Sequence, residues 1–137
     1  MSEITNNLWL SSWEDAKKLV PLLNNPLVIN CTKDLGYLTK STIRIPIDDN
    51  QSEIENLNNY IFWICKIIND TLIAGGEVVV HCLAGRQRSA AVIVSYLMIY
   101  NKSIKDPANF VKNVKQDIFF PYTNFQKTLD FVKAQSK

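Results

Sequence analysis

Histidine occurs once in this chain, arginine and cysteine three times each, and glycine four times. A single histidine rules out a multi-histidine zinc site, and Cys31 and Cys65 show no paired metal-ligand spacing, so neither metal nor cofactor is expected. Three cysteines are an odd number and too few for a disulfide scaffold, which fits a reducing, intracellular and cytoplasmic compartment. With 47% hydrophobic and 20% charged residues in 137, the composition excludes collagenous, low-complexity and disordered chains. Long hydrophobic runs are missing too: the longest apolar stretch, Ala90 to Tyr100, is far too short to cross a bilayer. The start, Met-Ser-Glu-Ile-Thr, lacks a cationic segment followed by an apolar one, so neither a secretion signal nor a membrane partner is expected. A net charge of +2 excludes a strongly basic polymer-binding surface and argues against a nucleic-acid partner. The lysines are spread along the chain. What is concentrated is chemistry: two of the three arginines, the histidine and one cysteine fall between His81 and Arg88.

No internal repeat, Ser/Gly linker or long charge run divides the sequence, so residues 1–137 are read as one domain. Leu8 to Leu10 reads as a short strand. Ser12 and Asp15 form a capping-box-like pair ahead of an amphipathic helix over Trp13 to Leu23. Leu27 to Ile29 and Ile43 to Ile47 read as two more strands, bounded by turn signals. From Glu53, the residues Ile54, Leu57, Ile61, Ile64, Ile68 and Leu72 recur at helical spacing, and Gly75-Gly76 ends that helix. Glu77 to His81 is a β-branched run with the pattern of a buried parallel strand. Ser89 to Tyr100 is apolar nearly all round and reads as a central helix, and two amphipathic helices follow at about Asp106 to Lys115 and Thr123 to Ala134. Alternating strands and helices predict an α/β three-layer sandwich with a mainly parallel sheet. Such sheets bind ligands at the carboxyl ends of their strands, which is where Val80 hands over to Cys82.

The segment His81-Cys82-Leu83-Ala84-Gly85-Arg86-Gln87-Arg88-Ser89 joins that strand to that helix. A loop of this length curls so that successive backbone N–H groups point inward as an anion-binding nest. It also opens a helix, whose free N–H groups and positive dipole end favour negative charge at the same point. A thiol held there should ionise below its free value of about 8.5, which makes Cys82 a nucleophile. Arg88 offers a planar fork that matches two phosphate oxygens. Gly85 permits a backbone conformation or close approach that a side chain would obstruct. A nucleotide-binding phosphate loop is excluded, because Gly-x4-Gly-Lys-Ser/Thr does not occur.

His81 to Ser89 matches the His-Cys-x2-Gly-x2-Arg-Ser/Thr signature of cysteine-dependent phosphatases, and the chain resembles the small, catalytic-domain-only dual-specificity protein phosphatases of that superfamily. The resemblance covers nearly the whole chain. Ile4 to Leu10 is similar to their opening strand, Val28-Ile29-Asn30 to their second core strand, and Ser89 to Met98 to their central helix. It implies a general acid in an aspartate just after an Ile-Pro-hydrophobic strand, some thirty residues before the cysteine. Asp49 fits that register, with Asp48 the alternative in Ile45-Pro46-Ile47-Asp48-Asp49-Asn50. It further implies that residues Leu83 to Ser89 hold the phosphate, that Ser89 bonds the departing thiolate, and that His81 orders the loop rather than moving protons. Ser89 is also suited to capping the helix.

Two departures stand out. Gln87 occupies a position where a small residue is usual in the family. The Pro-Asn that many members carry ahead of the last helix is replaced by Pro121-Tyr122-Thr123-Asn124-Phe125, which leaves Tyr122 or Asn124 to border the site, packing being the simplest reading of Tyr122. Arg86 is a second loop cation, either solvated or favouring multiply charged substrates. Cys31 and Cys65 read as buried structural thiols, with disulfide protection of Cys82 left open. The exposure of Trp9 and Trp13, and with it the oligomeric state, is also open. The reading that follows is hydrolysis of phosphotyrosine and phosphoserine/phosphothreonine in phosphoprotein substrates through Cys82. Its alternatives are a phosphatase of phospholipids, phosphoinositides or RNA 5′-triphosphates, and a phosphate-binding module without turnover.

Overall fold

The computed structural model describes residues 1–136. Among these, five strands form one sheet: β1 (Ser2–Thr5), β2 (Leu8–Ser11), β3 (Leu27–Asn30), β4 (Thr42–Arg44) and β5 (Val78–His81), in the order β1-β2-β5-β3-β4. The pairs β2–β5, β5–β3 and β3–β4 are parallel, and β1 lies antiparallel at the edge against β2. The helices are α1 (Trp13–Leu19), α2 (Ile54–Ile73), α3 (Arg88–Tyr100), α4 (Pro107–Val114) and α5 (Gln126–Gln135).

Side chains on β5 alternate between two buried faces. Val78 and Val80 join the large core with residues of α2, α3 and α5, while Val79 turns the other way, onto Ala16 and Val20 beyond the sheet. Burial on both faces is why this strand runs Val-Val-Val up to His81 instead of alternating with polar residues. The fold is therefore an α/β sandwich of three layers, with α1 alone on one face among the described residues. Helix α3 runs through the middle of the larger layer, and every residue from Ser89 to Leu97 is buried. Leu57, Ile61, Ile64, Cys65 and Ile68 of α2 are buried at helical spacing, as their pattern predicts. No helix among the described residues is long and apolar enough to cross a membrane.

Four boundaries differ from the sequence reading, each for a local reason. Helix α1 stops at Leu19 and passes into a 3-10 turn at Val20–Leu22, since Pro21 has no N–H for the next helical bond. Strand β4 ends at Arg44 instead of Ile47, because Pro46 removes a ladder donor, although Ile45 N–H still reaches the Asn30 carbonyl at 2.8 Å. The opening strand is a hairpin rather than one strand: Asn7 takes a left-handed φ of 68° and turns the chain. Helix α5 begins at Gln126 rather than Thr123, the backbone before it being bonded elsewhere, as described below.

The register brings Ser11 of β2 and Asn30 of β3 to either side of His81 at the carboxyl end of β5. The loop that follows β5 thus emerges between two neighbouring strand ends.

Candidate active site

The loop after β5 is shaped by its glycine. Gly85 has a φ of +72°, and a Cβ there would lie 2.8 Å from the backbone carbonyl of Ser11 and 2.9 Å from the nitrogen of Ser12. A side chain at this position would force the loop off the end of β2. The Leu83 carbonyl accepts from Trp13 N–H at 2.9 Å, tying the loop to the start of α1. Inside the curl sits Cys82, only 2% exposed. Its Sγ accepts from Gly85 N–H at 3.3 Å and makes a 3.1 Å hydrogen-bond contact with Ser89 Oγ. One backbone donor and one hydroxyl therefore converge on the sulfur. The N-terminus of α3 begins at Arg88, with Gln87 in the capping position and no side-chain cap, so Ser89 faces the thiol and does not cap the helix.

His81 is buried and its Nδ1–H donates to the Cys82 carbonyl at 3.2 Å, since a carbonyl can only accept. Its ring packs on Trp13 at 5.5 Å between centroids. Burial lowers its pKa. The bond to Cys82 opposes that shift, while the charges of Arg44 and Arg88 add to it. The imidazole stays neutral and holds the loop backbone.

Each of the three arginines has a distinct task. Arg44 donates to the carbonyls of Thr32 at 2.8 Å and Leu35 at 2.5 Å and lies over the Tyr37 ring, outside the loop. Arg88 Nη1 donates to the Ile47 carbonyl at 3.1 Å, which orients the guanidinium from the segment that carries Asp48 and Asp49. Arg88 Nε is buried with no hydrogen-bond partner among the described residues. Arg86 is not simply solvated: its Nε meets Asp117 Oδ2 at 3.1 Å, and Asp117 also takes Lys115 Nζ at 2.7 Å. Burial alone would raise the Asp117 pKa, but Lys115 and Arg86 outweigh it and hold the carboxyl below its ordinary value.

The two candidate acids have different surroundings. Asp48 Oδ2 lies 3.0 Å from Lys33 Nζ, in an exposed ion pair outside the cleft. Asp49 lines the cleft together with Cys82, Leu83, Ala84, Arg86, Gln87 and Arg88. Its Oδ1 accepts from Asn124 Nδ2 at 2.8 Å.

Gln87 explains how Asn124 gets there. Its side chain is only 6% exposed, and it donates from Nε2 to the Tyr122 carbonyl at 2.6 Å while Oε1 accepts from Asn124 N–H at 3.0 Å. One amide thus fastens the segment before α5 to the phosphate loop, and a third bond from Phe119 N–H to the Arg86 carbonyl at 2.9 Å does the same on the other side. The resulting cleft, about 200 Å³, is walled by Phe120, Pro121, Tyr122 and Asn124 opposite Leu83 and Ala84. Tyr122 is 62% exposed at its edge, not packed in the core.

A family model for the catalytic domain of dual specificity phosphatases matches residues 8–134, almost the entire chain. The chain belongs to that family. It is a phosphoric monoester hydrolase domain of the cysteine-dependent protein phosphatase class, whose members act on phosphoproteins. A putative tyrosine phosphatase of Invertebrate iridescent virus 6 is 38% identical over 103 residues, covering 74% of this chain and 70% of the viral protein. Human dual specificity protein phosphatase 9 is 32% identical over 140 residues, covering 96% of this chain and 36% of the human protein. The chain thus spans most of the viral relative but about a third of the human one. In fold, it is similar to the crystal structure of human DUSP28, with a TM-score of 0.87 at 23% identity over 98% of this chain and 96% of that one.

Within this dual-specificity phosphatase, the loop residues Cys82, Leu83, Ala84, Arg86, Gln87 and Arg88 line one cleft together with Asp49, while His81, Gly85 and Ser89 lie behind its surface. Asp117, Asn124 and the carbonyl of Ile47 were not singled out as supporting the loop from sequence. Asn124 carried a partial signal, as the one Asn close to the position where the family keeps its own. Asp117 carried none, because an acid in a polar stretch between two helices is indistinguishable from a solvated one. Cys31 and Cys65 are free, fully buried thiols whose pKa values burial pushes up, most simply structural.

Proposed function

We propose that residues 1–137 form one catalytic domain that hydrolyses phosphomonoesters of tyrosine and serine/threonine in proteins, with Cys82 as nucleophile, Arg88 as phosphate clamp and Asp49 as general acid and base. The observation that carries this reading is the environment of Cys82 Sγ. It accepts from Gly85 N–H beside the N-terminus of α3, in a cleft that Asp49 also lines. Leu83, Ala84, Gly85, Arg86, Gln87, Arg88 and Ser89 supply the backbone that surrounds a bound phosphate. The buried, unpartnered Nε–H of Arg88 is a donor that a phosphate oxygen satisfies, beside the Nη1 already fixed on Ile47.

Cys82 attacks phosphorus in line as the thiolate, forming an S–P bond while the P–O bond to the substrate breaks. The loop amides and Arg88 stabilise the charge on the transferring phosphoryl group. Asp49 gives its proton to the departing alkoxide or phenoxide, which leaves as the alcohol. In the second step, Asp49 as carboxylate takes a proton from water while the water oxygen attacks phosphorus. The S–P bond then breaks, phosphate leaves, and Ser89 bonds the returning thiolate at the contact it already makes. His81 and Gln87 hold the loop and do not transfer protons.

Protein substrates are favoured over multiply charged lipids and RNA because the second loop cation, Arg86, is neutralised by Asp117. Three free thiols support a reducing, cytoplasmic setting. The test is Cys82→Ser: phosphotyrosine-peptide turnover should vanish while circular dichroism and melting are unchanged. Turnover retained by that variant would overturn the mechanism.

A further inference from the structure

The floor of the cleft is polar and cationic; its mouth is neither. Leu83 is 58% exposed, Phe120 64% and Tyr122 62%, and all three line the same opening with exposed Pro121 between the aromatics. Adjacent exposed aromatic rings at the rim of a polar cleft mark a contact surface. These are not loose side chains on a mobile loop. Their backbone is bonded to the phosphate loop at Phe119, Tyr122 and Asn124, and Phe119 itself takes a left-handed φ of 56°. A surface held this way loses little conformational freedom when a ligand covers it.

Charge points the same way. The cations that line the cleft are Arg86 and Arg88. Arg88 turns inward to the Ile47 carbonyl, and Arg86 is matched by Asp117, which Lys115 in turn holds. Lys33, on the far side of Asp49, is matched by both Asp48 and Glu53. An acidic side chain beside a bound phosphoresidue therefore meets carboxylates already paired and no uncommitted cation in the cleft lining, while an apolar one meets Leu83, Phe120 and Tyr122.

We propose that Leu83, Phe120 and Tyr122 form an apolar subsite continuous with the catalytic cleft, which selects phosphoresidues flanked by apolar or aromatic side chains over those flanked by acidic ones. The proposal rests on the catalytic reading of the same cleft and adds its substrate class.

Two phosphotyrosine peptides test it, identical except for Leu and Phe, or two Glu, on either side of the phosphoresidue. The apolar peptide should show a kcat/KM about tenfold higher, carried mainly by KM. A Phe120→Ala/Tyr122→Ala variant should bring the ratio towards one. Asp117→Asn, which releases Arg86, should raise turnover of the acidic peptide about threefold, the scale of an exposed ion pair. Equal or inverted kcat/KM in the unsubstituted protein overturns the proposal, as does a ratio that survives removal of both aromatics. Binding of the same pair to Cys82→Ser protein reads the preference without turnover. Equal affinities, or tighter binding of the acidic peptide, overturn the subsite, whereas tighter binding of the apolar peptide without turnover by the unsubstituted protein upholds it and refutes the catalytic reading. Dimerisation in sedimentation that the double variant abolishes, with equal kcat/KM for the peptides, assigns the aromatics to a second copy of the chain and also overturns it.

Discussion

Replacing Gln87 by Ala removes the side chain that joins the phosphate loop to Tyr122 and Asn124. Two hydrogen bonds disappear, the 2.6 Å bond to the Tyr122 carbonyl and the 3.0 Å bond from Asn124 N–H. At about 1 kcal/mol net for each, the expected loss of stability is about 2 kcal/mol. An unfolding entropy of about 2.1 cal/mol/K per residue, over the 137 residues, gives about 0.3 kcal/mol/K, so the melting temperature should fall by about 7 °C. The catalytic consequence is separate and more selective. Without its tether Asn124 no longer holds Asp49 Oδ1, and misplacing a proton donor by an ångström or so costs about 10- to 100-fold. That loss appears only where the leaving group needs the proton: alkyl phosphates should slow by that factor and aryl phosphates with acidic leaving groups by much less. Asn124→Ala separates the two effects, because it deletes the Asp49 bond but keeps the backbone bond to Gln87. It should lower the alkyl-to-aryl ratio with little change in melting. The assays are differential scanning calorimetry and kcat on a paired alkyl and aryl phosphate. Equal loss on both substrates in either variant, or an unchanged melting temperature in Gln87→Ala, would refute the tether.

Asp49→Ala should cost at least about 100-fold in kcat on alkyl phosphates, whereas Asp48→Ala, which breaks only the exposed pair with Lys33, should stay within about twofold; the reverse order in steady-state assays would move the acid to Asp48. Gly85→Ala imposes a left-handed Cβ 2.8 Å from the Ser11 backbone, so a stability loss of about 3 kcal/mol and collapse of activity are expected from urea titration and turnover, and a native-like midpoint would contradict the loop geometry. The folded state binds the His81 proton less tightly than the unfolded chain, so stability is full above the unfolded value of about 6.5 and falls as pH drops below it. Urea midpoints at pH 7.5 and 5.5 should therefore decrease in that order, and a midpoint that rises on acidification would be inconsistent with a buried neutral histidine.

The parts of the fold that were legible in the sequence are those where one residue pattern answers one physical demand. Val78 to Val80 and Ala90 to Val94 are apolar on all sides because both are enclosed on all sides, and a run with no polar face has no other stable location. Prolines 21 and 46 altered the ends of α1 and β4 because a missing N–H acts at one residue, finer than any periodicity averaged over a window. The start of α5 was misjudged for a different reason. Nothing local forbids helix at Thr123 and Asn124; the Tyr122 carbonyl and the Asn124 N–H on either side of Thr123 are withdrawn by Gln87, 37 residues before Asn124.

The active site divides along the same line. Cys82, Gly85, Arg88 and Ser89 lie within eight residues on one loop, so their offsets alone pointed to the proposed chemistry. Asp49 could be placed only by likeness to a family, because Asp48 and Asp49 are identical to any rule of composition. What separates them in the fold is the direction each faces: Asp48 towards Lys33 and Asp49 towards Asn124. That direction is set by Asn124, which is set by Gln87, the residue that departs from the small one usual at its position. A small side chain there would reach neither the Tyr122 carbonyl nor the Asn124 nitrogen, and a support for Asp49 would have to come from elsewhere. In this fold Gln87 and Asn124 therefore act in series: the Gln87 amide bonds Asn124 N–H, and the Asn124 side chain bonds Asp49.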